Sequence, residues 1–173
     1  MIRQPHYLFG LLSVFWVVIS TTILVADTLP APSGQVVLTV SGEIQLTNVG
    51  DTAEFDLDML RDLERTELET TTIWTEGLQH FAGIKLGTLL KHLGVEDGII
   101  NASALNEYFI DIPFEDADTG AALIAYERNG APMSVRDKGP LWVIFPYDQS
   151  AHYRSEVYFA RSIWQMDRIE IER

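Results

Sequence analysis

The sequence feature that most constrains the fold is a run of five apolar residues, Leu141 to Phe145, which lies between Pro140 and Pro146. A segment that is apolar at every position predicts a strand buried on both faces of a sheet. The prolines limit this strand, because proline has no N–H to donate to a sheet ladder. Asn129-Gly130 precedes the run and suits a tight turn, since both residues tolerate positive φ. The segment therefore predicts a turn that leads into a central strand.

Hydrophobic periodicity in the rest of the chain predicts short helices among several strands. Leu86, Leu89, Leu90 and Leu93 recur at helical spacing, and Gly94 suits the end of that helix. This mixture predicts an α+β domain with mainly antiparallel sheets. Alternating or β-branched patterns predict further strands at residues 35–40, 66–73, 99–105, 121–126 and 164–171, and a short helix at residues 57–64.

The composition excludes several classes of function. The net charge is −13 and there is no cysteine among the 173 residues. A strongly acidic chain without a dense basic patch is not expected to bind nucleic acid, whose phosphates it repels. The lack of cysteine excludes disulfides, cysteine-ligated zinc, iron–sulfur clusters and thiol nucleophiles. The domain must therefore hold together by packing alone.

The N-terminal segment resembles an export signal. A short basic start is followed by a mostly apolar stretch from Leu8 to Val25, and Ala26 offers a cleavage position. We interpret residues 1–26 as a signal peptide, residues 27–34 as a linker and residues 35–173 as one domain. The alternative is an uncleaved anchor, because about 18 apolar residues can span a bilayer. Both interpretations predict a periplasmic or secreted domain.

The remaining polar residues show no motif of a hydrolase, a nucleotide enzyme or a zinc site. His80, His92 and His152 do not pair at metal-ligand spacing, and no nucleophile elbow or phosphate-binding glycine loop occurs. Arg136 and Lys138 lie in the loop before the buried strand. Two cations at this place suit an anion-binding pocket, or they are solvated loop charges.

Three motifs occur in the order found in a known family. Asn129-Gly-x-Pro-Met133 and, after a charged loop, Gly139-Pro-Leu-x-Val-x-x-Pro146 resemble the C-terminal signature of the sulfite-oxidase-like molybdopterin-binding domain. Phe81-x-Gly-Ile84 before a leucine-rich helix, and residues 104–113, resemble two earlier parts of the same domain. The resemblance covers roughly residues 36 to 171 and implies the sulfite-oxidase-like fold.

The resemblance also implies a molybdenum cofactor, but this sequence lacks the cysteine that would bind the metal. In active members a cysteine thiolate binds molybdenum just before the motif that begins at Phe81, which here corresponds to about Thr71. A threonine hydroxyl does not ionise near neutral pH and is a poor ligand compared with a soft thiolate. We therefore expect no cofactor, and molybdopterin stays an alternative by resemblance alone.

By the same resemblance, a cleft opens near this position and the charged loop. Aromatic side chains and a few cations in a mostly apolar pocket suit a small anionic ligand. The residues expected to line the cleft are Thr71, Trp74, His80, Arg136, Lys138 and Arg161.

These observations predict an exported, non-catalytic module that binds a ligand or serves as an accessory or sensory domain. The alternative is a molybdopterin-dependent oxidoreductase that holds its cofactor without a protein thiolate. The exported compartment and the small size also suggest a membrane signalling or redox protein as a partner.

Overall fold

The computed structural model describes residues 29–173. The predicted signal peptide lies outside these residues, so its assignment stays a prediction. The described chain forms ten strands and four short helices. They are β1 (Val36–Gly42), β2 (Ala53–Asp56), α1 (Leu57–Asp62), β3 (Arg65–Thr71), β4 (Leu78–Lys85), α2 (Leu86–His92), β5 (Ile99–Ala104), β6 (Phe109–Pro113), α3 (Phe114–Asp118), β7 (Leu123–Arg128), β8 (Ala131–Pro132), β9 (Leu141–Ile144), α4 (Glu156–Arg161) and β10 (Trp164–Glu172).

The ten strands belong to one mixed sheet. Its main path runs β2-β1-β10-β9-β7-β4-β3, while β5 pairs with β10 and β6, and β8 pairs with β7. Within residues 29–173, β1 and β10 are the one parallel pair, and the other strand pairs are antiparallel. The predicted α+β class with mainly antiparallel pairing is confirmed.

Strand β9 lies at the centre of this sheet, as the apolar run predicts. It pairs with β10 on one side and with β7 on the other, and its four residues are all buried. Trp142 is the largest fully buried side chain. Because both faces of β9 are covered, no polar residue is tolerated between its flanking prolines.

Residues 29–34, which the sequence assigns to a linker, pack against the domain. Leu29 is buried, and the Pro30 carbonyl accepts a hydrogen bond from the Asn48 side chain at 2.8 Å. The N–H groups of Ser33 and Gly34 both donate to Asp56 Oδ2 at 2.8 Å. Residues 29–34 therefore belong to the packed domain. No helix within residues 29–173 has the length and apolar character needed to cross a bilayer.

Asp56 joins this N-terminal segment to α1, and we expect it to make stability depend on pH in acid. Its Oδ1 also caps α1 by accepting the Met59 N–H at 2.9 Å. The backbone donors, that of Met59 first, lower the pKa of Asp56 from 3.8 to about 2. The stabilising effect of a lowered carboxyl pKa is present above the unfolded-state value and is lost as pH falls through the folded-state value.

We predict that Asp56→Asn lowers the free energy of unfolding at neutral pH. The difference from the wild type should shrink as pH falls from about 3.8 towards about 2. Urea unfolding at several pH values measures this difference. Asp58→Asn is the control, since Asp58 lies in the first turn of α1, which Asp56 caps, and its side chain is largely exposed. A difference that stays constant with pH would contradict the prediction.

Candidate functional site

An apolar cleft in the described chain has a volume of about 400 Å³. Its walls come from the loop at residues 72–77, the turn after β5, helix α4 and the start of β10. No charged side chain lines it, and four of its ten lining residues are aromatic. The lining residues are Ile73, Trp74, Ala104, Asn106, Tyr108, Phe159, Ala160, Ser162, Ile163 and Trp164.

Trp74 forms the centre of an aromatic cluster behind this cleft. Its ring lies edge-on to those of Trp142 and Trp164, each with a centroid distance of 5.7 Å. Phe159 and Tyr147 are also edge-on to Trp74, at 5.8 and 6.3 Å. Such pairs contribute about 0.5–1.5 kcal/mol each beyond their buried area. The cluster therefore gives the cleft a stiff inner wall.

Buried hydrogen bonds hold the cluster against the end of α4. Trp142 Nε1 donates to the Ser162 carbonyl at 3.1 Å, and Ser162 Oγ donates to the Tyr158 carbonyl at 2.6 Å. The Tyr147 hydroxyl contacts Ser162 Oγ. Burial raises the pKa of Tyr147 to about 12, so this hydroxyl stays protonated at neutral pH. The polar groups behind the cleft are thus satisfied by one another.

Lys138 places a cation against this cluster. Its Nζ lies 4.1 Å from the ring centroid of Trp164 and 5.3 Å from that of Trp142. Among the described residues no carboxylate forms a salt bridge with Lys138, because the neighbouring Asp137 binds Arg128 at 2.7 Å. Burial lowers the pKa of Lys138, the charge of Arg128 acts in the same direction, and Asp137 opposes them. A half-buried ammonium on a tryptophan face is a cation–π arrangement.

Thr71 ends strand β3 and contacts a carboxylate from a distant loop. Its N–H and its hydroxyl donate to the two oxygens of Asp148 at 2.5 and 2.7 Å. The Asp148 N–H donates in turn to Oγ1 of the buried Thr70 at 3.2 Å. The backbone and side-chain donors of Thr71, in that order, are the main causes that lower the pKa of Asp148. Both the N–H and the hydroxyl of Thr71 are therefore used in hydrogen bonds within the protein.

The other expected basic residues lie apart from the cleft lining. Arg161 binds Asp116 of α3 at 2.5 Å. His80 is exposed and its Nδ1 lies 2.9 Å from a carboxylate oxygen of Glu69 on the neighbouring strand. Arg136 is exposed in the turn before β9. Of the six residues expected to line a cleft, Trp74 lines this one, and Lys138 contacts the cleft through the ring of Trp164.

Most of the residues that line the cleft were not predicted from the sequence. Trp164 lies in a predicted strand without a role in a site, Phe159 has no predicted role, and Tyr108 enters only through the motif at residues 104–113. The available signal was the density of aromatic residues near the C-terminus, since Tyr158, Phe159 and Trp164 lie within seven positions. That signal does not show which rings face a cavity, because packing between α4 and β10 decides it.

The mixed sheet and its short helices define a domain with the sulfite-oxidase-like fold. A model of the oxidoreductase molybdopterin binding domain matches residues 37–171, and the chain belongs to this family. No curated protein matches the chain.

Among solved structures, the chain is similar to the crystal structure of the sulfane dehydrogenase SoxCD from Paracoccus pantotrophus. The TM-score is 0.57 and the sequence identity is 16%, and the match covers 78% of this chain. It covers 37% of the SoxCD chain, so this protein spans little more than a third of that structure. A likeness at this identity establishes the fold alone.

The residues at the expected metal position do not fit a thiolate-bound molybdenum. Thr71 supplies a hydroxyl, and this hydroxyl already donates to Asp148. The family resemblance implies a soft thiolate ligand for molybdenum, and the sequence contains no cysteine. Residues 29–173 also contain no group of three or more histidine, aspartate or glutamate side chains arranged to hold a metal.

Proposed function

We propose that this chain is an exported, non-catalytic ligand-binding module that retains the molybdopterin-binding fold. The observation that carries the proposal is the aromatic cleft between the loop at residues 72–77 and helix α4. Its volume of about 400 Å³ lies within the range of small-molecule sites, which are mostly apolar with few polar groups. The threonine in place of the metal-binding cysteine supports a role without metal chemistry.

The proposed ligand has a flat apolar body and one anionic group. The body matches a cleft without charged lining, where Trp74, Phe159 and Trp164 offer ring surfaces. The anionic group matches Lys138, whose ammonium lies on Trp164 without a carboxylate partner among the described residues. Arg136 is in the same loop and adds positive charge at the protein surface. An ammonium that is partly removed from water binds an anion more strongly than an exposed one.

Anilinonaphthalene sulfonate (ANS) tests this proposal, because it combines a flat aromatic body with a single anion. The chain has four tryptophans, and the three described ones belong to the cluster. In a Trp16→Phe background, tryptophan fluorescence therefore reports on the cluster. We expect saturable binding of one ANS per folded chain, with energy transfer from tryptophan to the dye.

We predict that Trp164→Ala weakens ANS binding at least about tenfold, which corresponds to about 1.4 kcal/mol. Lys138→Gln should weaken binding by about threefold to tenfold and reduce its dependence on salt, because it removes the charge and leaves the rings. Val49→Ala is the matched control, since Val49 is an exposed apolar residue outside the cleft. Equal affinity of all four proteins would exclude the cleft as the binding site.

Molybdenum and pterin analysis of the purified protein tests the non-catalytic part of the proposal. We expect neither component in the wild type purified from its exported compartment. Near-stoichiometric molybdenum would overturn the proposal and favour the oxidoreductase. A Thr71→Cys variant extends the comparison, because cofactor in that variant alone would assign the loss to the missing thiolate.

A further inference from the structure

We propose that Asp148 is a positioning residue for the cleft, and that its bonds to Thr71 hold the loop at residues 72–77 in place. The inference rests on the proposed function in taking the aromatic cleft as the binding site. The family resemblance puts a metal-binding thiolate at about this position. Here the position carries a hydroxyl that binds a carboxylate, so protein atoms join two segments that are 77 residues apart.

The Thr71 N–H points away from β4, since it donates to Asp148. Strand β3 lies at the edge of the sheet, where outward N–H groups have no neighbouring strand. Asp148 therefore fills the last hydrogen-bonding position of this edge. Charge-assisted bonds of 2.5 and 2.7 Å to a carboxylate are stronger than bonds between neutral groups.

The loop at residues 72–77 begins immediately after this contact and carries Ile73 and Trp74, which line the cleft. Its far end is held separately, because Gln79 Nε2 donates to the Glu76 carbonyl at 2.7 Å and Asn129 Nδ2 donates to Gln79 Oε1 at 3.0 Å. The two ends of the loop thus have independent supports. Asp148 supplies the support next to Trp74.

Asp148 also connects this loop to the opposite side of the cleft. The preceding residue, Tyr147, packs against Trp74 and against Phe159 of α4, with centroid distances of 6.3 and 5.7 Å. The bonds between Asp148 and Thr71 therefore fix the backbone on both sides of the contact between Tyr147 and Trp74. Loss of these bonds should loosen the wall that Trp74 forms and leave the buried centre of the sheet intact.

The test uses the full chain in the Trp16→Phe background. Asp148→Asn and Thr71→Val each remove part of the contact, and Thr71→Ser keeps the hydroxyl. Ser150→Ala is the control, because it removes a different hydrogen bond of the same loop, the one that Ser150 Oγ accepts from the His152 N–H. We expect Asp148→Asn and Thr71→Val to raise the acrylamide quenching of tryptophan fluorescence and to weaken ANS binding about fivefold. Thr71→Ser and Ser150→Ala should resemble the wild type.

A double variant, Asp148→Asn with Thr71→Val, separates positioning from general destabilisation. If the two residues act through their mutual contact, the effect of the double variant on quenching should be smaller than the sum of the two single effects. Unchanged quenching in both single variants would overturn the proposal. The proposal would also be overturned if the changes in quenching and ANS affinity only followed a lowered unfolding midpoint.

The outcomes also separate this inference from the proposed function. Wild-type protein that binds no ANS, with higher quenching in the Asp148 variant, would reject the ligand site and retain the positioning role. ANS binding that is the same in all variants would retain the site and reject the positioning role.

Discussion

Replacement of Gly83 by alanine is expected to cost at least about 3 kcal/mol of unfolding free energy, since overpacking in a well-packed core costs about 1–3 kcal/mol and backbone atoms yield less than side chains. A Cβ on Gly83 would lie 1.9 Å from the Ile124 carbonyl oxygen and 2.7 Å from the Ala125 Cα. These atoms belong to β7, which pairs with β4. The clash cannot be relieved by rotation of a side chain, so the two strands must separate.

Urea unfolding of Gly83→Ala and of Gly34→Ala measures this effect. A Cβ on Gly34 would meet its nearest atom, in the Asp56 side chain, at 3.4 Å, which is ordinary contact. We expect the Gly34 variant to stay within about 0.5 kcal/mol of the wild type, as surface substitutions usually do. Comparable stability of the two variants would show that β4 and β7 can adjust to the extra methyl group.

Replacement of Trp142 by alanine is expected to have the largest effect of any single side-chain truncation in the domain. The side chain is fully buried and packs edge-on against Phe81 and Trp74, with centroid distances of 5.4 and 5.7 Å. Truncation of a buried tryptophan costs about 3–5 kcal/mol. It also leaves the buried Ser162 carbonyl without the indole donor, which adds about 1–3 kcal/mol. Typical domains have about 5–15 kcal/mol in total, so the variant should be mostly unfolded or close to it.

Thermal unfolding followed by near-UV circular dichroism measures this effect, with Trp164→Ala as the matched comparison. Trp164 is only partly buried and lines the cleft, so its loss should affect ANS binding more than stability. We therefore expect Trp142→Ala to lower the unfolding temperature more than Trp164→Ala does. Trp164→Ala should stay folded, so that its weaker ANS binding can be measured. A well-folded Trp142→Ala protein would contradict the central role of β9.

Much of the fold was accessible from local patterns. The apolar run before Pro146 predicted the buried strand β9, and the leucine spacing predicted the helix that forms as α2 at Leu86–His92. The structure gives a physical reason for two glycines of the family motifs, Gly83 and Gly139. A Cβ on Gly139 would lie 1.9 Å from the Met133 carbonyl oxygen, as close as that of Gly83 to β7. Both glycines allow backbone segments to approach each other.

The candidate site was accessible only in part. Trp74 was predicted and lines the cleft, whereas the other expected residues contact different partners. Arg161 binds Asp116, which is 45 residues away in the sequence, and Thr71 binds Asp148 at a separation of 77 residues. A polar or charged side chain is directed by the nearest complementary group in three dimensions, and the sequence does not report that distance.

The sequence by itself determined the class of the domain, the position of its central strand, the absence of a thiolate and the family resemblance. These properties depend on residue type and local spacing, which are present in the linear chain. The tertiary structure alone decided that Trp164 and Phe159 face one cleft, that Lys138 lies on an indole ring and that Asp148 binds the end of β3. Each of these contacts joins segments far apart in the chain, so it depends on how the sheet and the helices pack.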